Sequence, residues 1–230
     1  MKERPILFSA PMVRALLDGS KTQTRRVMKP QPEPSPHRPD DCQWPCNAFQ
    51  SMVSVADTLS PGAHGMAGDA CPHGAHGDRL WVRETFGYVS PDEHQRPLSE
   101  CSIEYRADLP PGSTDRPGGW PATECVGDPA RPRWRPSIHM PRAVSRILLE
   151  IMSVRVERLQ DISDADIVAE GINMDALAEA QDRYDIVCKG SDASGRATER
   201  TAWRDLWEST GGDWDSNPWL WVIEFKRVSP

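Results

Sequence analysis

Gly19-Ser20-Lys21-Thr22-Gln23-Thr24-Arg25-Arg26 follows a short apolar stretch and sets a primary amine, a hydroxyl and two guanidinium groups within one tight segment. Upstream, Ser9 is placed to cap a helix, and Pro11 falls in its first turn, where a missing N–H costs nothing. Val13, Leu16 and Leu17 recur at helical spacing. The pattern predicts a short amphipathic helix over 11–18, ended by Gly19 in the left-handed conformation, with Lys21 and Thr24 on the segment that leaves it and begins a strand. Strict strand alternation would put Thr22 and Thr24 on one face and Lys21 and Gln23 on the other, so Lys21 and Thr24 converge only where the segment is looped or bulged. Such a cluster can hold an anion or activate a nucleophile. It also reads as a solvated basic turn.

Further along, 31–76 is rich in Pro, Ser, Gly, Asp and His without a sustained period and reads as a loop-rich insertion; 109–136, with its Pro-Pro-Gly and Pro-Gly-Gly turns, reads as a second. Alternation predicts strands over 79–85 and 102–106. The β-branched, apolar run 143–159 predicts one long strand or two, over 146–151 and 154–159. Ser163 is placed to cap a short helix through Glu170 that Gly171 ends, and 198–209 sets Ala202, Trp203, Leu206 and Trp207 on one helical face. With 22 Pro, 16 Gly and 38% hydrophobic residues among 230, one domain over 1–230 with long loops is expected. No apolar run is long enough for a membrane span and the first residues lack an apolar signal region, so a cytoplasmic protein with reduced cysteines is expected.

Three segments bear a family likeness. Gly19, Lys21, Thr24 and Arg26 match the signature G-x-K-x-x-T-x-R; 159–172 ends in Glu170-Gly171; and 218–228, Pro-Trp-Leu-Trp-Val-Ile-Glu-Phe-Lys-Arg-Val, looks like a closing strand. In these the chain resembles the ASCH domain family of the PUA-like superfamily. With 77–85 and 134–142 it is similar to the longer ASCH proteins of bacterial prophages. The resemblance implies an α+β fold, a small PUA-like β-barrel with flanking short helices and long loop insertions, that recognises RNA or a modified nucleoside.

It also implies a site. Some compact members remove the acetyl group of N4-acetylcytidine with a Lys, a Thr and a Glu, which here map to Lys21 as base, Thr24 as nucleophile and Glu170 as the orienting acid, with no cofactor required. A carboxylate beside Lys21 favours the ammonium, so Lys21 serves as a base only if burial or a cation such as Arg26 depresses its pKa more strongly. Arg25 or Arg26 can do this or bind a phosphate, and Gly19 shapes the turn.

Charge and aromatic residues leave a second reading open. The net charge of −7 argues against general duplex coating, yet residues 1–30 carry seven Lys or Arg against two acids and 131–158 seven Arg against two Glu. If these meet, they form a basic face on which Trp81, Trp120 or Trp134, beside Arg83, Arg133 and Arg135, stack on single-stranded RNA that is bound or cleaved. The alternatives are neutralisation between segments and aromatic packing, the latter preferred for Trp203 and Trp207. Finally, Cys42, Cys46, Cys71 and His73, with His76 close by, hold enough soft ligands for a structural zinc, though Cys71, Pro72 and Gly74 equally make a turn.

Overall fold

The computed structural model describes residues 1–59, 64–91, 96–126, 132–188 and 196–229. In chain order its strands and helices are β1 (Glu3–Leu7), α1 (Ala10–Asp18), β2 (Gln23–Val27), β3 (Glu33–Pro34), β4 (Cys42–Cys46), β5 (Ser51–Ser54), α2 (Val55–Leu59), α3 (His64–Ala70), β6 (Arg79–Arg83), β7 (Phe86–Val89), β8 (Ser102–Tyr105), β9 (Leu148–Arg158), α4 (Asp164–Ala169), α5 (Met174–Cys188), α6 (Glu199–Ser209) and β10 (Trp219–Val228). The fold is mixed α/β. Its main sheet has five strands in the order β1-β6-β9-β10-β2, with β1 and β6 parallel and the other neighbours antiparallel.

The long central pair explains the continuous apolar runs. Leu220, Trp221, Val222 and Ile223 of β10 are all buried, which requires cover on both faces of the sheet. On one face Trp221, Ile223 and Phe225 pack with Val13 and Leu16 of α1, while on the other Leu220 packs with Leu159, Ile162, Ile167, Trp203 and Trp207. In β9 the pairing slips between Ser153 and Ile151, leaving Met152 as an extra residue. The slip reverses the alternation, so that Leu149 and Ile151 before it and Val154 and Val156 after it face the same core. One bulged strand therefore stands where the sequence allowed one strand or two.

The expected barrel is not closed by strand pairing: β1 and β2 are the two edges of the sheet, and among the described residues no ladder joins them. A side chain spans the gap instead, the Arg26 Nη2 donating to the Leu7 carbonyl at 2.8 Å.

The stretch 31–76 carries the three-stranded sheet β3-β4-β5 and the helices α2 and α3. Trp44 meets Trp221 edge to face at 5.7 Å, and Cys46, Val53, Val55, Ala67 and Cys71 join the main core. Burial of each of the two valines stabilises the fold by roughly 1.5–3 kcal/mol, which helps hold short elements that no periodicity announces. Among the described residues, 109–136 contains no strand. It is tied to the rest of the chain by the isolated Phe86–Arg135 backbone bridge and by the Arg106 guanidinium over the Trp134 ring at 5.6 Å, while Trp134 Nε1 donates to the Asp115 carbonyl within the segment at 2.8 Å.

Candidate functional site

The end of α1 and the end of α4 are laid together by backbone before any side chain acts. Gly19 takes φ 87° and turns the chain out of α1, whose Ala15 carbonyl accepts from the Lys21 N–H at 2.9 Å. Lys21 then forms an isolated antiparallel bridge with Glu170, and the Thr22 N–H donates to the Ala169 carbonyl at 2.9 Å. Ser163 caps α4 by accepting from the Asp166 N–H, and Gly171, at φ 85°, ends it. A Cβ on Gly171 would lie 2.8 Å from the Ala15 Cβ and 2.9 Å from the Lys21 Cβ, so only glycine lets these two helix ends close on each other. Strand alternation begins at Gln23, two residues after Lys21. That frees Lys21 from the phase of Thr24 and lets both line one pocket.

Lys21 and Glu170 are buried, 4% and 3% exposed, and Thr24 is 2% exposed. Lys21 Nζ donates to the Glu170 carbonyl at 2.7 Å and to Glu170 Oε2 at 2.8 Å. Arg25 Nη1 donates to Glu170 Oε1 at 3.0 Å, and Arg25 Nη2 to Glu157 Oε1 at 3.0 Å and Asp166 Oδ2 at 3.2 Å. Burial lowers the pKa of Lys21 below the ordinary lysine value. Glu170 pulls it back upward, and Arg26 and Arg25 push it down again. The lowering is due chiefly to desolvation. Thr24 makes no side-chain hydrogen bond among the described residues.

Above these groups opens a pocket of about 440 Å³, its mouth included. Phe8, Ser9 and Met12 form one wall, and Trp203, Leu206, Trp207 and Thr210 of α6 and its C-terminal end form the other. The Phe8 ring lies 5.6 Å from Lys21 Nζ and 5.1 Å from the Arg26 guanidinium. Trp203 and Trp207 pack in the second core, as expected, and also face the pocket.

Of the residues singled out from the sequence, Lys21, Thr24, Glu170, Arg25 and Arg26 come together here. Gly19 supplies the turn. Trp81 and Arg83 are not part of the lining: Arg83 lies 5.5 Å from the Trp81 ring and donates through Nε to the Ser137 carbonyl. Three of the seven arginines of 131–158 are paired with carboxylates of the same chain. Arg142 pairs with Glu3, Arg146 with Glu84 and Asp108, and Arg155 with Glu157, Asp166 and Glu224, while Arg158 sits over Trp219 at 4.4 Å.

The zinc set does not assemble. Among the described residues no group of three or more His, Cys, Asp or Glu is arranged to hold a metal; Cys46 and Cys71 are spent in the main core, with Cys42 packed against it. Burial pushes the Cys71 thiol up to about 11 and His73 down to about 4, so both are neutral near pH 7. Phe8 and the half-buried ionic partners Glu157 and Asp166 were not foreseen. No local pattern marks them, because each acts through a residue distant in sequence.

The chain matches no protein-family model, no curated protein and no solved structure. Among the described residues no helix is long and apolar enough to cross a membrane.

Proposed function

We propose that this chain is an ASCH-type protein, related to the PUA-like fold, that recognises a modified nucleoside, free or within RNA, and hydrolyses an exocyclic amide of the N4-acetylcytidine kind. The observation that carries this reading is the burial of Lys21, Thr24 and Glu170 together against one aromatic-walled pocket. In the reaction, neutral Lys21 accepts the Thr24 hydroxyl proton as Oγ1 attacks the acetyl carbonyl. Collapse breaks the C–N bond, passes that proton to the departing N4 amine and leaves an acetyl ester on Thr24. Water then gives a proton to Lys21 as it attacks the ester carbonyl; the bond to Oγ1 breaks, Lys21 returns the proton to the Thr24 oxygen, and acetic acid leaves and ionises to acetate.

The hydrogen bonds of Lys21 suit this role. A neutral amine has two N–H groups and one lone pair, and both N–H groups find acceptors on Glu170. The remaining direction holds the lone pair, or the proton once it is taken up, without movement of the nitrogen. Glu170 acts as the orienting acid, and Phe8, Trp203 and Trp207 offer flat apolar surfaces to a base.

Incubation of the purified protein with N4-acetylcytidine is expected to release cytidine, and folded Lys21→Ala and Thr24→Ala variants are expected to lose that activity. An unchanged nucleoside, with a mixed RNA pool retained by the parent and released by the same variants, would replace hydrolysis with RNA binding.

A further inference from the structure

We infer that Arg25 is a positioning residue of this site: it holds one oxygen of Glu170 so that the other is presented to Lys21. The inference rests on the hydrolase reading for its purpose and on geometry for its substance. The Arg25 side chain is 0% exposed. Its Nη2 is fixed from the far side by Glu157 of β9 and Asp166 of α4. Arg155 anchors both of those carboxylates in turn, reaching Asp166 Oδ2 at 2.8 Å and Glu157 Oε2 at 3.2 Å, and it also pairs with Glu224 of β10. With Nη2 held by two carboxylates and Nε buried without a partner, the planar guanidinium turns Nη1 to Glu170 Oε1 at 3.0 Å.

The consequence falls on Lys21. The charged groups about its amine are Glu170 from the end of α4 and Arg26 and Arg25 from β2. Without Arg25, Glu170 would be free to turn both oxygens and its undivided charge toward the amine, which favours the ammonium and removes the base. A point-charge lysine at position 25 cannot reach Glu157, Asp166 and Glu170 together, so the fork geometry is needed as well as the charge.

The test is direct titration of Lys21 by ¹H–¹³C spectra of protein labelled at lysine Cε, with the Lys21 signal among the five lysines assigned by its loss in Lys21→Arg. Arg25→Gln is expected to move the Lys21 titration upward by about one pH unit. In a Glu170→Gln background the same change is expected to produce less than half that shift, because the effect passes through the carboxylate. An unmoved Lys21 titration in folded Arg25→Gln overturns the inference, as does a shift of equal size in both backgrounds. If Arg25→Gln does not fold, Arg25→Lys decides: an upward shift supports the inference and none overturns it. The readout needs no substrate. A parent that fails to turn over N4-acetylcytidine therefore overturns the hydrolase reading alone, and a parent that turns it over with Lys21 indifferent to Arg25 overturns only this inference.

Discussion

Glu84 and Glu170 are both buried carboxylates that meet arginines, and Glu170 borders the pocket described above. Glu84, 1% exposed, receives Arg146 on both oxygens at 2.9 and 3.0 Å; Arg146 also gives two hydrogen bonds to Asp108 at 2.9 and 2.7 Å and lies 3.9 Å over the Tyr105 ring. The Arg146 guanidinium is thus shared between two carboxylates of the same chain. It ties the end of β6 to the turn after β8 and to the residues leading into β9, and burial, which pushes the Glu84 carboxyl up, is offset by a cation that does not give up its proton. Glu170 divides its oxygens between Arg25 and Lys21, and the lysine is a cation that burial can discharge. Beside it the Thr24 hydroxyl makes no hydrogen bond among the described residues, and the pocket opens. The saturated arginine pair is a clamp, whereas the lysine pair beside the pocket is the one proposed to react.

The contrast breaks most sharply on substitution of the two cations. Lys21→Met is expected to lower turnover by about 10³-fold or more while changing stability by less than about 2 kcal/mol, because Glu170 keeps Arg25. Arg146→Met is expected to do the opposite. It leaves Glu84 buried without a counter-ion and costs about 3–4 kcal/mol in urea unfolding, with turnover per folded molecule unchanged. Equal effects of the two on turnover would erase the distinction.

Gly171→Ala sharpens the comparison at intermediate size. The added methyl meets Ala15 and Lys21 at a positive φ, so a loss of about 1–3 kcal/mol and about a tenfold fall in turnover are expected, read by unfolding and by cytidine release in parallel. The smallest effect is in pH. A lysine whose folded pKa lies below its unfolded value binds fewer protons in the native state between the two values, so stability rises with pH across that window, up to about 10.5. Lys21→Met is expected to remove that slope. Turnover by the parent is expected to rise with pH through the same folded pKa, below the ordinary lysine range, as the amine becomes neutral.

Local chemistry was legible in the sequence where it is self-contained. The Gly19 turn, the Ser163 cap with Gly171, the helix carrying Trp203 and Trp207, and the strands at 79 and 102 follow from capping, period and turn residues acting over a few positions. The motif residues Lys21, Thr24 and Glu170 were named, but their meeting across 149 positions between Lys21 and Glu170 is a tertiary event. Nor was the commitment of Arg25 to three carboxylates visible, since an arginine beside another arginine reads as exposed charge until its partners from β9 and α4 arrive. Strand β1, short and interrupted by Pro5, and the elements within 31–76 lack a period of their own; they are held by Ile6, Trp44, Val53 and Val55 reaching the shared core. The Met152 bulge hid the continuity of β9 by reversing its alternation.

The central claim is that one hydroxyl, on Thr24, forms and breaks the bond. The most direct measurement is cytidine release from N4-acetylcytidine by Thr24→Val and Thr24→Ser, which preserve the volume and the hydroxyl respectively. Thr24→Val, folded and with an intact pocket, is expected to lose about 10³-fold or more, while Thr24→Ser stays within about tenfold of the parent. Turnover by Thr24→Val at the parent rate would contradict it.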